Sequence, residues 1–145
     1  MEVVFMSDFL NSLFLSNEET DNEMKPKYTI SEIADIYKKE GYFIELKEEK
    51  FLVVKIQGTN VFVMLADDGD IQFAVIYNVD DNFSLRSLNK INRTYRIGKA
   101  YLDDNGRMVI EVLLRSVGPG LTKAQIIQGL KDISLLSLYT EKEFV

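Results

Sequence analysis

The chain has 145 residues, 46% of them apolar, with 17 Lys and Arg against 23 Asp and Glu and a net charge of −6. Such a length and balance describe a soluble globular chain with one real core, and the acidity repels nucleic-acid phosphates and anionic membranes at long range, so neither is expected as a partner. With no His and no Cys, disulfides, thiol chemistry and imidazole ligands are excluded, and the cytoplasm is the expected location.

The chain divides into residues 1–27 and 28–145. MEVVFMSDFLNSLFLS is rich in large apolar residues, but Glu2 and Asp8 stand where a secretory signal needs cations, and no run reaches the length of a membrane span. Val3, Met6, Leu10 and Leu13 fall at helical spacing, and Phe5, Phe9 and Phe14 widen the stripe, which predicts an amphipathic helix in need of a docking surface. Ser16 to Lys27 carries Glu18, Glu19, Asp21 and Glu23 and reads as a self-repelling acidic linker. Its reach of up to about 40 Å lets the helix lie on its own domain, on a second copy or on a client, and packing on its own sheet or a dimer mate is the ordinary expectation.

Thr29 and Glu32 form a capping box for a helix with Ile30, Ile33, Ala34 and Tyr37 inward, ended by Gly41. Tyr42 to Lys47, Lys50 to Gln57, Asn60 to Ala66 and Asp70 to Tyr77 then read as strands. Glu48-Glu49, Gly58-Thr59 and Asp67-Asp68-Gly69 are too short for crossover helices, so the sheet is expected to be antiparallel. Lys50 to Gln57 and Asp70 to Tyr77 are apolar on both faces, and a second face so apolar is seldom left to water. Asp67 to Asp70 and Asp103 to Gly106 suggest calcium at first sight. Their acids lack the alternate spacing of a calcium loop, and turn formation explains them, so no metal is expected.

A helix capped by Asn82 is expected next, with Phe83, Leu88, Ile91 and Tyr95 inward. Asn89 and Asn92 share one flank, poor mid-helix residues whose amides are expected to clamp neighbouring backbone or, alternatively, to touch a ligand. Arg86, Lys90 and Arg93 follow at i, i+4 and i+7, with Arg96 and Lys99 beyond. This basic stripe is either a solvated face or a receptor for an acidic peptide, the chain's own linker included. Arg96 to Leu102 and Arg107 to Ser116 form the last hairpin, stopped by Gly118-Pro119-Gly120. Thr122 then caps a helix whose apolar surface (Ile126, Ile127, Leu130, Ile133, Leu136, Leu138, Tyr139) is wider than one core stripe needs, which predicts a homodimer.

LNKINRTYRIGKAYLDDNGRMVIEVLL with the later glycines resembles the YbjN family of bacterial proteins, whose fold is similar to type III secretion chaperones. The resemblance runs from about Thr29 to Val145 and rests on Asn89, Ile91, Asn92, Arg96, Ala100 to Asp103, Gly106, Glu111, Gly118 and Gly120. Ile91 stands where the family tends to have Trp, and Pro119 splits what is usually a glycine pair. The resemblance implies an α+β domain with helices flanking an antiparallel sheet, self-association, and a role in protein binding or sensory regulation.

No enzyme is expected. Neither a Ser-His-Asp nor a Cys-His arrangement can be built, the acids gather in turns and linker, and Gly118-Pro119-Gly120 lacks both the phosphate-loop lysine and dinucleotide spacing, so no cofactor is expected. Two readings remain: a dimeric, chaperone-like module that binds an unidentified client, and a small-ligand sensor with its pocket between the sheet and Asn89 and Asn92.

Overall fold

The start of the first helix is set by Thr29, whose Oγ1 accepts from the Glu32 N–H at 3.1 Å while its own N–H donates to Glu32 Oε1 at 3.0 Å. The computed structural model describes residues 23–144, so the expected N-terminal helix and most of the acidic linker lie outside the described residues. In chain order the elements are α1 (Ile30–Lys39), β1 (Phe43–Lys47), β2 (Phe51–Ile56), β3 (Thr59–Leu65), β4 (Ile71–Tyr77), α2 (Leu85–Thr94), β5 (Lys99–Leu102), β6 (Met108–Leu114) and α3 (Lys123–Phe144). The fold is α+β, as expected. Its six strands form one sheet in the order β1-β2-β3-β4-β6-β5, with every pair antiparallel.

The hairpins follow from their turns. Ile56 pairs with Thr59, which makes the turn Gln57-Gly58 rather than the expected Gly58-Thr59. Both central residues have positive φ, at 50° and 82°, as a two-residue primed turn requires. At the other tight turn, Asp103 Oδ1 accepts from the N–H groups of Asn105 and Arg107, and its Oδ2 accepts from Arg107 Nε at 2.9 Å. Asp68 Oδ1 accepts likewise from Asp70 N–H. These carboxylates serve their turns.

Three expected boundaries move. α2 is capped by Ser84, not Asn82, because Asp80 takes the N–H groups of Asn82 and Phe83 and holds the loop in a turn two residues longer. β5 begins at Lys99 rather than Arg96, since Tyr95 leaves α2 to stack on Tyr139 with ring centroids 4.6 Å apart. β6 stops at Leu114. Beyond it, Ser116 donates its N–H to Asp70 and its hydroxyl to the Pro26 carbonyl, which diverts the chain from the ladder.

The core lies on one side of the sheet. Leu52 and Val54, Val61 and Val63, Ile71, Phe73 and Val75, and Met108, Ile110 and Val112 form one cluster with Ile33 and Tyr37 of α1, Leu88 and Ile91 of α2, and Ile126, Leu130, Ile133 and Leu136 of α3. Two buried hydroxyls pin the helices together, Tyr28 donating to the Leu121 carbonyl at 2.7 Å and Tyr37 to the Ile126 carbonyl at 3.0 Å. Thr122 caps α3 as expected, accepting from Gln125 N–H while Gln125 Oε1 accepts from Thr122 N–H.

Lys25 to Lys27, assigned from the sequence to the linker, are tied to the body instead. Lys25 and Leu121 exchange both backbone hydrogen bonds at 2.9 Å. The approach is so close that a Cβ on Gly120 would meet the Lys25 carbonyl oxygen at 2.0 Å, and Gly120 also has φ +103°. Only glycine fits there.

Replacing Gly120→Ala is expected to lower stability by about 2–4 kcal/mol, read from the urea midpoint, because strain and the lost bridge act together. Burial holds the phenols of Tyr28, Tyr37, Tyr77 and Tyr101 above their ordinary value. The folded chain therefore keeps these protons while the unfolded chain loses them, and stability falls as pH rises through about 10. Urea midpoints taken at rising pH check this, and Tyr37→Phe should make the alkaline decline shallower.

Candidate functional site

A strand alternates its side chains between faces, so the residues between the core positions form a second surface. Val53, Phe62, Ala74 and Val109 occupy it, in a row set by the pairs Val53 with Phe62 and Phe62 with Ala74. None of them belongs to the core cluster. A register shift between Ile44 and Leu46 places Phe43 and Leu46, three residues apart, on this same side of β1.

Among the described residues no helix covers this face. Phe43 is 63% exposed, Leu113 56% and Ile76 39%, with Leu46 and Tyr101 also open and Phe51, Phe62 and Met64 partly buried. Exposed apolar side chains stand on β1, β4, β5 and β6, around a row in which Val53, Ala74 and Val109 are only 4–6% exposed. Exposed apolar groups clustered in this way mark interaction sites.

Polar residues stand among them, Lys55 and Asn60 on β2 and β3 and Gln72, Glu111 and Lys99 on β4, β6 and β5. Glu111 is only 7% exposed, beside Ala74 on one strand and Lys99 on the other. Its Oε1 lies 2.8 Å from Lys99 Nζ, and its Oε2 accepts from Gln72 Nε2 at 2.5 Å and Tyr101 OH at 3.0 Å. The carboxylate holds the Lys99 ammonium above its ordinary value, while burial and then the bond to Glu111 raise the Tyr101 phenol. A charge so surrounded by donors tolerates desolvation, so the cluster can stay in place when a partner covers the face.

The residues singled out from the sequence lie elsewhere. Asn92 is a clamp, its Nδ2 donating to the Ala100 carbonyl at 3.1 Å and its Oδ1 accepting from Ala100 N–H at 2.8 Å. Asn89 is exposed and without a hydrogen bond among the described residues. Lys90 lies 3.6 Å from Glu143 on α3, and Arg86, Arg93 and Arg96 point into solvent. The stripe is exposed along α2 on the helical side of the sheet, and the Asn92 amide is spent on the backbone of β5.

A second polar network lies where α3 crosses β3 and β4. Glu141 Oε1 accepts from Tyr77 OH at 3.1 Å and Thr59 Oγ1 at 2.9 Å, and Tyr77 OH is 2.6 Å from Ser137 Oγ. The same Thr59, Ser137 and Glu141 line a small cavity there. Among the described residues no group of three or more acids is placed to hold a metal ion, and no helix is long and apolar enough to cross a membrane.

The motif around Asn92, Tyr101 and Glu111 is thus partly architectural and partly displayed on the bare face. Residues 29–131 match the model of YbjN, described as "Putative bacterial sensory transduction regulator". The chain belongs to the YbjN family. Its matched region takes in α1, the whole sheet and the first part of α3, so the bare face is built entirely from YbjN sequence. No curated protein matches the chain. Within the YbjN match, sequence reasoning missed Gln72 and Lys99 as members of the Glu111 cluster, since only strand register brings them together.

Asn92→Ala leaves both backbone groups of Ala100 without their partner and is expected to cost about 1–3 kcal/mol. Arg86→Ala and Arg93→Ala should stay within about 0.5 kcal/mol of the parent in the same urea titration.

Proposed function

We propose that the chain is a non-enzymatic, protein-binding regulator, and that the bare apolar face of its sheet is the surface that receives the partner. The observation carrying this reading is the one-sided distribution of helices: a six-stranded sheet with an apolar second face that no described helix covers. Family membership supports the regulatory part, and the kinship of fold suggested by the sequence supports a chaperone-like grip on an extended or amphipathic client. Exposed Phe, Leu, Ile and Tyr give the area, and the Glu111 cluster gives a fixed polar mark against which the client is placed.

Self-association is part of the proposal and uses a different surface. Most of the apolar residues of α3 go into the core, but Leu135 and Leu138 stay 57% and 50% exposed on its outer side. Two copies meeting along that stripe leave both sheets free. Such a dimer offers two client faces to one partner.

Light scattering on the full chain is expected to give twice 16.7 kDa, and Leu135→Glu with Leu138→Glu should return the single-chain mass. The binding face is tested by the aggregation of reduced insulin, an unfolded probe. The parent should slow it, and Ile76→Lys with Leu113→Lys should lose most of that effect while unfolding at the parent's urea midpoint. A parent without effect on the probe overturns the reading.

A further inference from the structure

The polar network where α3 crosses β3 and β4 converges on one oxygen of Glu141. Its Oε1 accepts from Thr59 Oγ1 at 2.9 Å, from Tyr77 OH at 3.1 Å and from Ser137 Oγ at 3.4 Å. Its Oε2 has no hydrogen-bond or ion-pair partner among the described residues. The cavity beside this carboxylate has a volume of about 80 Å³, and its lining includes Thr59, Ser134, Ser137 and Glu141 together with the apolar Ile56 and Val61.

A hydroxyl carries one hydrogen, and those of this site are all committed within the protein. Ser134 gives its hydrogen to the Leu130 carbonyl of its own helix at 2.7 Å. Thr59 and Tyr77 give theirs to Glu141, which leaves Ser137, 2.6 Å from the Tyr77 oxygen, to donate within the same network. Burial holds the Tyr77 phenol above its ordinary value, so it stays a donor to Glu141. What the serines, Thr59 and Glu141 have left to offer a ligand is lone pairs and one negative charge.

We propose that this cavity binds a primary ammonium carried on an unbranched alkyl chain, with Glu141 taking the charge and the hydroxyl oxygens the remaining N–H groups. An ammonium has three donors and no acceptor, the complement of such a lining, whereas an anion or a carbonyl would find no hydrogen there. One carboxylate among apolar walls also supplies too few oxygens for a hard metal cation. Size narrows the ligand further. At roughly 30 Å³ for each water-sized group, the cavity has room for an ammonium and about two methylenes, less than an aromatic ring needs. Ile56 and Val61 give those methylenes an apolar surface, and the rest of the ligand lies outside. The chemistry is that of a free alkylamine or of a lysine side chain on a partner. The site is on the helical side of the sheet, so it stands independently of what the other face binds.

The test is a titration of the full chain with n-butylammonium chloride, followed by the amide NMR shifts of Thr59, Ser137 and Glu141. These should saturate with a Kd on the order of millimolar. Tetramethylammonium, which has the charge but no N–H, and butyrate, which has the chain but the opposite charge, should move them little at the same ionic strength. Glu141→Gln keeps an oxygen for Thr59 and Tyr77 but removes the charge, and should weaken binding about tenfold or more. Ser134→Leu fills the cavity without touching the Glu141 hydrogen bonds and should abolish the saturable shift, which keeps the proposal open to refutation if Glu141→Gln does not fold. Shifts that never saturate, an equal response to tetramethylammonium, or full affinity in either folded variant would overturn it. The end-blocked tripeptide Gly-Lys-Gly separates the two sources. Affinity equal to that of butylammonium assigns the site to a partner's lysine, and binding of the free amine alone assigns it to a small molecule.

Discussion

A six-stranded sheet has two faces, and the described helices of this chain cover one. α1, α2 and α3 all pack against the set that includes Val54, Val63, Phe73 and Ile110, because each helix carries one apolar stripe and the connections bring all three to the same side. The alternate set, Val53, Phe62, Ala74 and Val109, meets no helix among the described residues. Hydrophobic burial is the dominant favourable term in folding and association alike, and this side carries exposed Phe43, Leu46, Ile76 and Leu113. The location of the candidate site follows from that asymmetry.

Polar contacts on both sides of the sheet fix its edge. Asn92 ties α2 to the backbone of Ala100, which fixes the short edge strand β5 beside β6. Tyr101 and Lys99 on that strand then reach Glu111 across the ladder. Thus a clamp on the helical side positions a charged cluster on the other. The residues of the family motif divide along the same line, with Asn92, Ala100 and Gly120 serving architecture and Tyr101 lying over the buried Glu111 on the other side.

Much of this was legible from the residues. The capping box at Thr29 and the cap at Thr122 were read correctly because they are local: a hydroxyl at the helix start and an apolar stripe behind it. The antiparallel sheet was legible from its short turns. The cap of α2 was misplaced since Asn82 and Ser84 are both good caps, and Asp80 takes the Asn82 N–H and leaves Ser84 to start the helix. The apolar character of the second face was legible in β2 and β4, whereas the cluster around Glu111 was not.

The sequence by itself determined the helices, the strands, the turns and the amphipathic character of residues 3–14, because each depends on residues within one or two turns of chain. Only the tertiary structure decided the rest. The bulge in β1 brings Phe43 and Leu46 to one side, and the cluster of Gln72, Lys99, Tyr101 and Glu111 and the bridge from Lys25 to Leu121 rest on contacts between residues 10 to 96 positions apart. Register and helix placement depend on long-range pairing, and no local pattern encodes which face of a doubly apolar sheet the helices choose.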